Sequence, residues 1–199
     1  MLTIVTPAQS YDLTVLATVK AELGITDRAE DENLARWITQ ASNIVARYCN
    51  RVFAKETVAE TFRLATRESD LLLSRYPVQS IASVQENDET LAATDYEVKP
   101  ENGVLTRLRD DNLTCWPPGK IVVTYTAGYP LLGDLPYGIE RAAILLVNQY
   151  RYAAERDPQL RSEMTDGAGS SSYFDGLDAG GMSPEVRGLL AEHRKPAGS

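Results

Sequence analysis

The hydrophobic period of this chain changes twice, and each change divides a helical segment from an extended one. Residues 31–50 carry apolar side chains at steps of three and four over four turns, which is typical of a long amphipathic helix. Over residues 56–127, short runs rich in Val, Ile, Thr and Tyr alternate with turn sequences, as in antiparallel strands. A second helical stripe follows over residues 136–157. The chain is therefore predicted to be α+β, with a mainly helical core and a small antiparallel β insertion.

Local signals place further boundaries. A short first helix is predicted after Asp12 as its N-cap, with Gly24 as the terminating residue. Residues 100–104 are predicted to turn around Asn102 and Gly103, which adopt positive backbone angles readily. These signals divide the 199 residues into three parts. The helical core comprises residues 1–55 and 128–164, the β-rich insertion comprises residues 56–127, and the flexible tail comprises residues 165–199.

The tail departs from every periodic pattern before a short terminal helix. Glycine and serine are frequent from residue 165 to residue 181, so this segment is not expected to bury enough surface to order itself. It nevertheless holds large apolar side chains that a linker does not need. A solvated linker and a segment that orders on a partner therefore both remain open. The terminal helix is predicted to follow Ser183 as its N-cap, with Pro184 at its first position.

The second long helix is apolar over much of its circumference. Gly128 and Pro130 end the strand before it, and Pro136 suits its first turn, where a missing N–H costs nothing. A helix of this kind lies either at the centre of its own fold or against a neighbouring subunit.

The charge balance narrows the classes of partner. A formal charge of −8, from 28 acidic and 20 basic residues, argues against a protein that grips nucleic acid through phosphate contacts. An acidic surface keeps a protein soluble, and in a channel it would let DNA pass without sticking. No apolar run approaches the roughly 20 residues of a membrane span, and the first residues lack the features of a secretory signal. We expect a protein that is made and kept in the cytoplasm, without a membrane partner.

No arrangement of residues indicates catalysis. The single histidine, His193, lies near the end of the chain, so a Ser-His-Asp or Cys-His arrangement would depend on a poorly held group. Cys49 and Cys115 are too far apart for a CxxC signature and are interpreted as reduced thiols. The acidic run at residues 30–32 begins a helix, where carboxylates oppose the helix dipole. The sequence thus predicts no enzyme, no catalytic residue, no metal and no cofactor.

The order of the motifs resembles a known family. The series "VKAELGI", "DENLARWITQASNIVARYCNRVF", "LLLSRYPVQSIASV", "DYEV", "GVLTRL", "IVVTYTAGY" and "LPYGIERAAILLVNQYRY" is similar to that of the head-tail connector (adaptor) proteins of long-tailed bacteriophages. Related adaptors occur in phage-derived gene transfer agents. The resemblance covers residues 13–196, and "VTYTAGY" followed by "LP" and a long helix is its strongest part.

This resemblance implies a structural connector without catalytic residues. Subunits would form a dodecameric ring beneath the portal protein, extend the channel through which DNA leaves the capsid, and dock a lower neck or tail protein. DNA would be a partner only in transit, and the protein would lie in the neck of a virion or phage-like particle. The tail would fold on the portal, and the second long helix would pack between subunits. The implied portal-binding residues are Tyr173, Phe174, Leu177, Met182, Leu189, Leu190 and Arg194, and the implied subunit contacts are Ile139, Ala143, Leu146 and Tyr150.

Two other classes remain open. One is a different neck or tail-completion protein, which would have similar size and acidity. The other is a ligand- or carbohydrate-binding module that uses the β insertion, with aromatic side chains that stack on a sugar. Its candidate residues are Tyr76, Tyr96, Trp116 and Tyr125.

Overall fold

The computed structural model describes residues 1–130, 134–155, 162–165, 169–172 and 182–195. The contacts within the chain divide it into two compact units. We call the first the β unit, which comprises Met1–Tyr11 and Val52–Asp134, and the second the helical unit, which comprises Asp12–Arg51 and Leu135–Pro196.

The β unit consists of two antiparallel sheets. Its described strands, in chain order β1 to β9, are Leu2–Thr6, Glu56–Leu64, Asp70–Leu72, Val78–Glu86, Glu89–Thr90, Tyr96–Lys99, Val104–Arg109, Asn112–Thr114 and Gly119–Ala127. The larger sheet has the order β1-β2-β9-β4-β5. The smaller sheet has the order β3-β7-β6, and β8 also pairs with β7.

The larger sheet is built around two long central strands. β2 and β9 pair through all nine residues, from Glu56 opposite Ala127 to Leu64 opposite Gly119. Alternate residues of β9 are buried, as the period of two predicts. Side chains from both sheets share one hydrophobic core, which comprises Val58, Leu71, Leu73, Val78, Val84, Leu105, Trp116, Ile121, Val123, Tyr125 and Ala127.

Two glycines serve the backbone of the β unit. Gly103 has a φ of 71° in the turn between β6 and β7, which confirms the predicted turn. Gly128, just after β9, has a φ of 100°, and a Cβ there would lie 2.3 Å from the carbonyl oxygen of Ala54. Its N–H donates to the carbonyl of Pro77 at 2.8 Å. Any side chain at position 128 would therefore displace the backbone that closes this end of the sheet.

The prediction of a mainly helical core with a small β insertion is wrong. Helix and strand occupy similar shares of the described residues, and the two sheets build a core of their own. β1, from the segment assigned to the helical core, pairs with β2. This pairing joins residues more than 50 positions apart, so no local period reveals it.

The helical unit has four described helices, α1 Leu16–Leu23, α2 Asp31–Cys49, α3 Tyr137–Glu155 and α4 Pro184–Leu190. α3 packs against each of the other three. The two long helices lie where their apolar stripes predict them. β10, Ser162–Thr165, and β11, Gly169–Ser172, form an antiparallel pair, although residues 169–172 were predicted to lack regular structure. Backbone hydrogen bonds hold a hairpin and require no particular side chain.

The predicted capping residues of α1 and α4 lie at the ends of these helices, with one exception. Ser183 caps α4, since its hydroxyl oxygen accepts the N–H of Val186 at 3.3 Å. α1 ends at Gly24 with a φ of 67°, as predicted. It begins after Val15, however, so the prediction of Asp12 as its N-cap is wrong. Within the described residues, no helix combines the length and the hydropathy needed to cross a membrane.

Candidate assembly site

The predicted subunit contacts on α3 lie mostly in the interior of the chain itself. Ile139, Ala143 and Leu146 have no exposed surface, because α3 packs against α1, α2 and α4. Tyr150 is half-buried, and its hydroxyl has no hydrogen-bond partner within the described residues. Burial raises the pKa of that hydroxyl. Of the four residues, Tyr150 alone retains surface that a second copy can contact.

The predicted portal-binding residues include three that lie outside the described residues, namely Tyr173, Phe174 and Leu177. The other four belong to the terminal segment around α4. Met182 and Leu190 are buried, Leu189 is half-buried and Arg194 is exposed.

α4 and the residues after it are held against the rest of the helical unit. The N–H of Lys195 donates to the carbonyl of Cys49 at 2.8 Å, and the guanidinium of Arg51 donates to the carbonyl of His193 at 3.4 Å. The first of these bonds satisfies a carbonyl at the end of α2, which would otherwise lack a partner in the helix. The guanidinium of Arg194 lies 5.4 Å from the centre of the Tyr48 ring, within the range of a cation–π contact. In this conformation the terminal helix packs on its own chain.

Two titratable side chains in this region, Cys49 and His193, are both held in their uncharged forms. Cys49 is buried, and its burial raises the pKa of the thiol to about 11, so the thiol remains protonated at neutral pH. Burial and the charge of Arg51 lower the pKa of His193 below its usual 6.5, so the imidazole is neutral there. Neither a thiolate nor a charged imidazole is therefore available at this site.

The acidic residues at the start of α2 are held by ion pairs. Asp31 accepts a hydrogen bond from Lys20 at 2.5 Å, and Glu30 accepts two from Arg151 at 2.7 and 3.0 Å. The hydrogen bonds from Arg151 lower the pKa of Glu30. The cluster therefore joins α1 and α3 to the start of α2. Among the residues that the structure describes, no group of three or more His, Cys, Asp or Glu side chains is placed to bind a metal.

A polar network that the sequence analysis missed lies inside the β unit. Glu60 is almost fully buried and accepts hydrogen bonds from the hydroxyl of Tyr125 at 2.8 Å, from the N–H of Ser74 at 2.9 Å and from the hydroxyl of Ser74. Buried Glu56 accepts from Arg75 at 2.8 Å and from Tyr11 at 3.1 Å. Both carboxylates are thus satisfied where desolvation would otherwise be costly. The sequence did offer one signal of this burial, because Glu56 and Glu60 lie four residues apart in an alternating strand, with apolar Val58 between them.

Two of the four aromatic residues proposed to stack on a sugar are buried in the β unit and cannot contact a ligand. Tyr125 and Trp116 have no exposed surface, and the indole N–H of Trp116 donates to the carbonyl of Leu105 at 3.2 Å. Tyr76 and Tyr96 are half-buried. The β unit therefore does not present the row of exposed rings that a carbohydrate platform needs.

Both units have packed hydrophobic interiors, and the buried carboxylates of the β unit are hydrogen-bonded. The sequence model of the family described as "Head completion protein" matches residues 12–196. The chain therefore belongs to the head completion protein family, whose role in the particle is structural.

Solved structures with a similar fold come from gene transfer agent (GTA) particles. One, described as "Neck of empty GTA particle computed with C6 symmetry", has a TM-score of 0.64. Two others, "Virion of native gene transfer agent (GTA) particle" and "Neck of native GTA particle computed with C12 symmetry", have TM-scores of 0.62 and 0.61. Each is 19% identical, and the alignment covers 100% of this chain and 98% of that chain. A comparison with curated proteins gives no match.

Proposed function

We propose that this protein is a head-tail connector that forms a dodecameric ring beneath the portal and lies in the neck of a phage or gene transfer agent particle. The ring extends the channel for DNA and presents a docking face to the next neck or tail protein. The observation that carries this proposal is the likeness of the whole chain to a chain in neck structures, one of them computed with C12 symmetry.

The electrostatics of the chain support a role in DNA transit. With a net charge of −8, the protein as a whole repels phosphates, whereas a nucleic-acid-binding protein carries a concentrated positive charge. A channel wall with this sign lowers friction on the passing duplex. The function is mechanical and involves no catalysis, metal or cofactor.

The contact with the portal uses residues N-terminal to α4. The side chains of Met182, Val186 and Leu190 are buried in the chain itself, so they have little surface to offer. Tyr173, Phe174 and Leu177 are large apolar residues in a segment rich in Gly and Ser, a pattern that favours ordering on a partner. Leu189 and Arg194, which retain exposed surface, contribute at the edge of this contact.

The direct test is electron microscopy of the intact particle that contains this protein, with the chain fitted into the neck density. We expect twelve copies in a ring directly below the portal. A chain found only in fibres or in a baseplate would contradict the proposal.

The portal contact needs a separate test, since removal of residues 165–199 would also remove α4 from the helical unit. A triple variant, Tyr173→Ser with Phe174→Ser and Leu177→Ser, leaves α4 in place. It should lose binding to the purified portal ring while its thermal unfolding is unchanged. The matched control is Leu113→Ser, which removes an apolar side chain with 74% exposure in the β unit. Equal portal binding by the triple variant and the control would contradict this assignment.

A further inference from the structure

The larger sheet of the β unit has two edges that no described strand covers. β1 is the terminal strand at one side, and no described residue pairs with its outer edge. At the other side β5 covers only Gln85 and Glu86 of β4, and Leu91 continues this pairing to Val84. Within the described residues, positions 79–83 of β4 therefore have no strand along their outer edge, the one that faces away from β9. Open edges of this kind are templates for pairing with another chain.

The hydrogen-bond pattern shows which groups of β1 point outward. Met1 and Thr61 exchange two backbone hydrogen bonds, at 2.8 and 2.7 Å, and so form a hydrogen-bonded pair. Because such pairs alternate in an antiparallel ladder, Leu2 and Ile4 direct their N–H and C=O groups away from β2. These groups are available to one further antiparallel strand.

The hydrophobic core of the β unit reaches both edges. Ile4 lies opposite Val58 and so faces the core, yet 47% of it remains exposed. At the other edge Ile81 lies opposite Tyr125 on the same face and is also only partly buried against this core. A strand added at either edge would extend the sheet and cover an isoleucine at the same time.

Both edges also lack charged side chains. The sequence of β1 is LTIVT, and residues 79–83 read QSIAS, so neither segment has a charged side chain. Natural edge strands are commonly protected by charged side chains or by β-bulges. These two edges have no charged side chain, and their pairing register shifts between Ile4 and Thr6 in β1 and at two places between Val78 and Ser83 in β4. Copies that each carry a net charge of −8 repel one another, so neutral segments are where two copies approach at least cost.

We propose that β1 of one copy pairs with the outer edge of β4 in the next copy and that this pairing joins neighbouring subunits of the ring. The inference rests on the proposed function, since it presumes a ring. Strands in the larger sheet alternate in direction, so β1 of a second copy with the same orientation lies antiparallel to β4. The two edges are different surfaces, and such a head-to-tail contact closes into a ring, whereas a self-complementary contact stops at a dimer.

The test is cross-linking between copies in purified particles. On a Cys115→Ser background, Ile4→Cys and Ile81→Cys are combined and treated with a short bis-maleimide. Side chains on the same face of adjacent strands lie within roughly 8 Å, even for diagonal neighbours. We expect a ladder of cross-linked species up to the full ring. The matched control combines Thr3→Cys with Ile81→Cys, because Thr3 is also exposed but lies opposite Ala59 and so points to the other face, and it should give at least tenfold less ladder.

A second variant removes the outward hydrogen bond and keeps the rest of the chain. Ile4→Pro deletes an N–H that points away from β2, so the isolated protein should unfold at nearly the same temperature as the wild type. Its incorporation into particles should fall at least tenfold. Val5→Ser, which removes an apolar side chain and retains every N–H, should be incorporated normally.

The outcomes separate the two proposals. If wild-type particles contain no copies of the chain in the neck, the proposed function fails. If the neck contains a ring but the 4/81 pair gives no ladder, the edge pairing is overturned. Cross-linked dimers from Ile4→Cys alone would also overturn it, because they would indicate that β1 pairs with another β1.

Discussion

Replacement of Tyr125 by phenylalanine should weaken the β unit through its buried polar network. The ring of Tyr125 is fully buried, and phenylalanine fills the same volume, so the change creates no cavity in the core. It removes one hydroxyl that donates to the carboxylate of Glu60 at 2.8 Å and accepts the N–H of Arg75 at 3.1 Å. The substitution therefore tests the hydrogen bonds separately from the packing.

The expected cost follows from the burial of the partner. Glu60 is only 5% exposed, so water does not readily replace the lost donor. A hydrogen bond to a buried charged group contributes about 1.5–3 kcal/mol, and the remaining bonds from Ser74 keep the carboxylate partly satisfied. We therefore expect Tyr125→Phe to lower the free energy of unfolding by about 2–3 kcal/mol. For a chain of this size that corresponds to a fall in Tm of roughly 5–10 °C.

The assay is urea unfolding of the purified protein, with Tyr137→Phe as the control. Tyr137 is 75% exposed, and its substitution should change the free energy of unfolding by less than about 0.5 kcal/mol. Burial and the charge of Glu60 raise the pKa of Tyr125 far above its usual value of 10, so the hydroxyl remains a donor and the loss should be constant between pH 7 and pH 9. A double-mutant cycle with Glu60→Gln should give a coupling of at least about 1 kcal/mol. A loss for Tyr125→Phe no larger than that of the control would refute the reasoning.

Three further predictions concern the helical unit and the thiols. Leu190→Ala should lower the free energy of unfolding by about 2–5 kcal/mol, and Leu189→Ala by less than half of that, because only Leu190 is fully buried; urea unfolding checks both. At pH 8 a thiol reagent should label exposed Cys115 within minutes and leave Cys49 unlabelled in the folded protein, as mass spectrometry would show. The pKa of His193 is lower in the folded than in the unfolded chain, so wild type should lose stability relative to His193→Asn as the pH falls below about 6.5; pH-dependent melting curves measure the difference.

The sequence predicted the helices better than the sheets. α2 and α3 follow from steps of three and four residues within one segment, and α4 follows from its serine cap and first-turn proline. The alternation of β9 likewise predicted a strand. β1 was missed because its pairing with β2 depends on residues distant in sequence. The helical core was overweighted partly for this reason, since residues 1–55 were assigned to it and the antiparallel sheet was predicted only as a small insertion over residues 56–127.

The polar network shows another limit of local patterns. A glutamate in a strand is ordinarily expected on the solvent side, so Glu56 and Glu60 gave no sign of burial by their type. Their role depends on Arg75 and Tyr125, which come from a loop and from another strand. The partners of a buried charge are set by the tertiary fold, and a single sequence without the pairing register does not identify them.

The distribution of exposed apolar surface indicates which part of the chain contacts neighbouring subunits. In the helical unit, the apolar faces predicted to contact other molecules are used internally, as the complete burial of Ile139, Leu146 and Leu190 shows. In the β unit, Ile4 and Val5 remain about half exposed on an uncharged edge strand. Subunits with a net charge of −8 favour a neutral, apolar contact in a closed ring, and β1 supplies one. It follows that substitutions which block this edge should affect assembly before stability, whereas substitutions of the buried face of α3 should affect stability first.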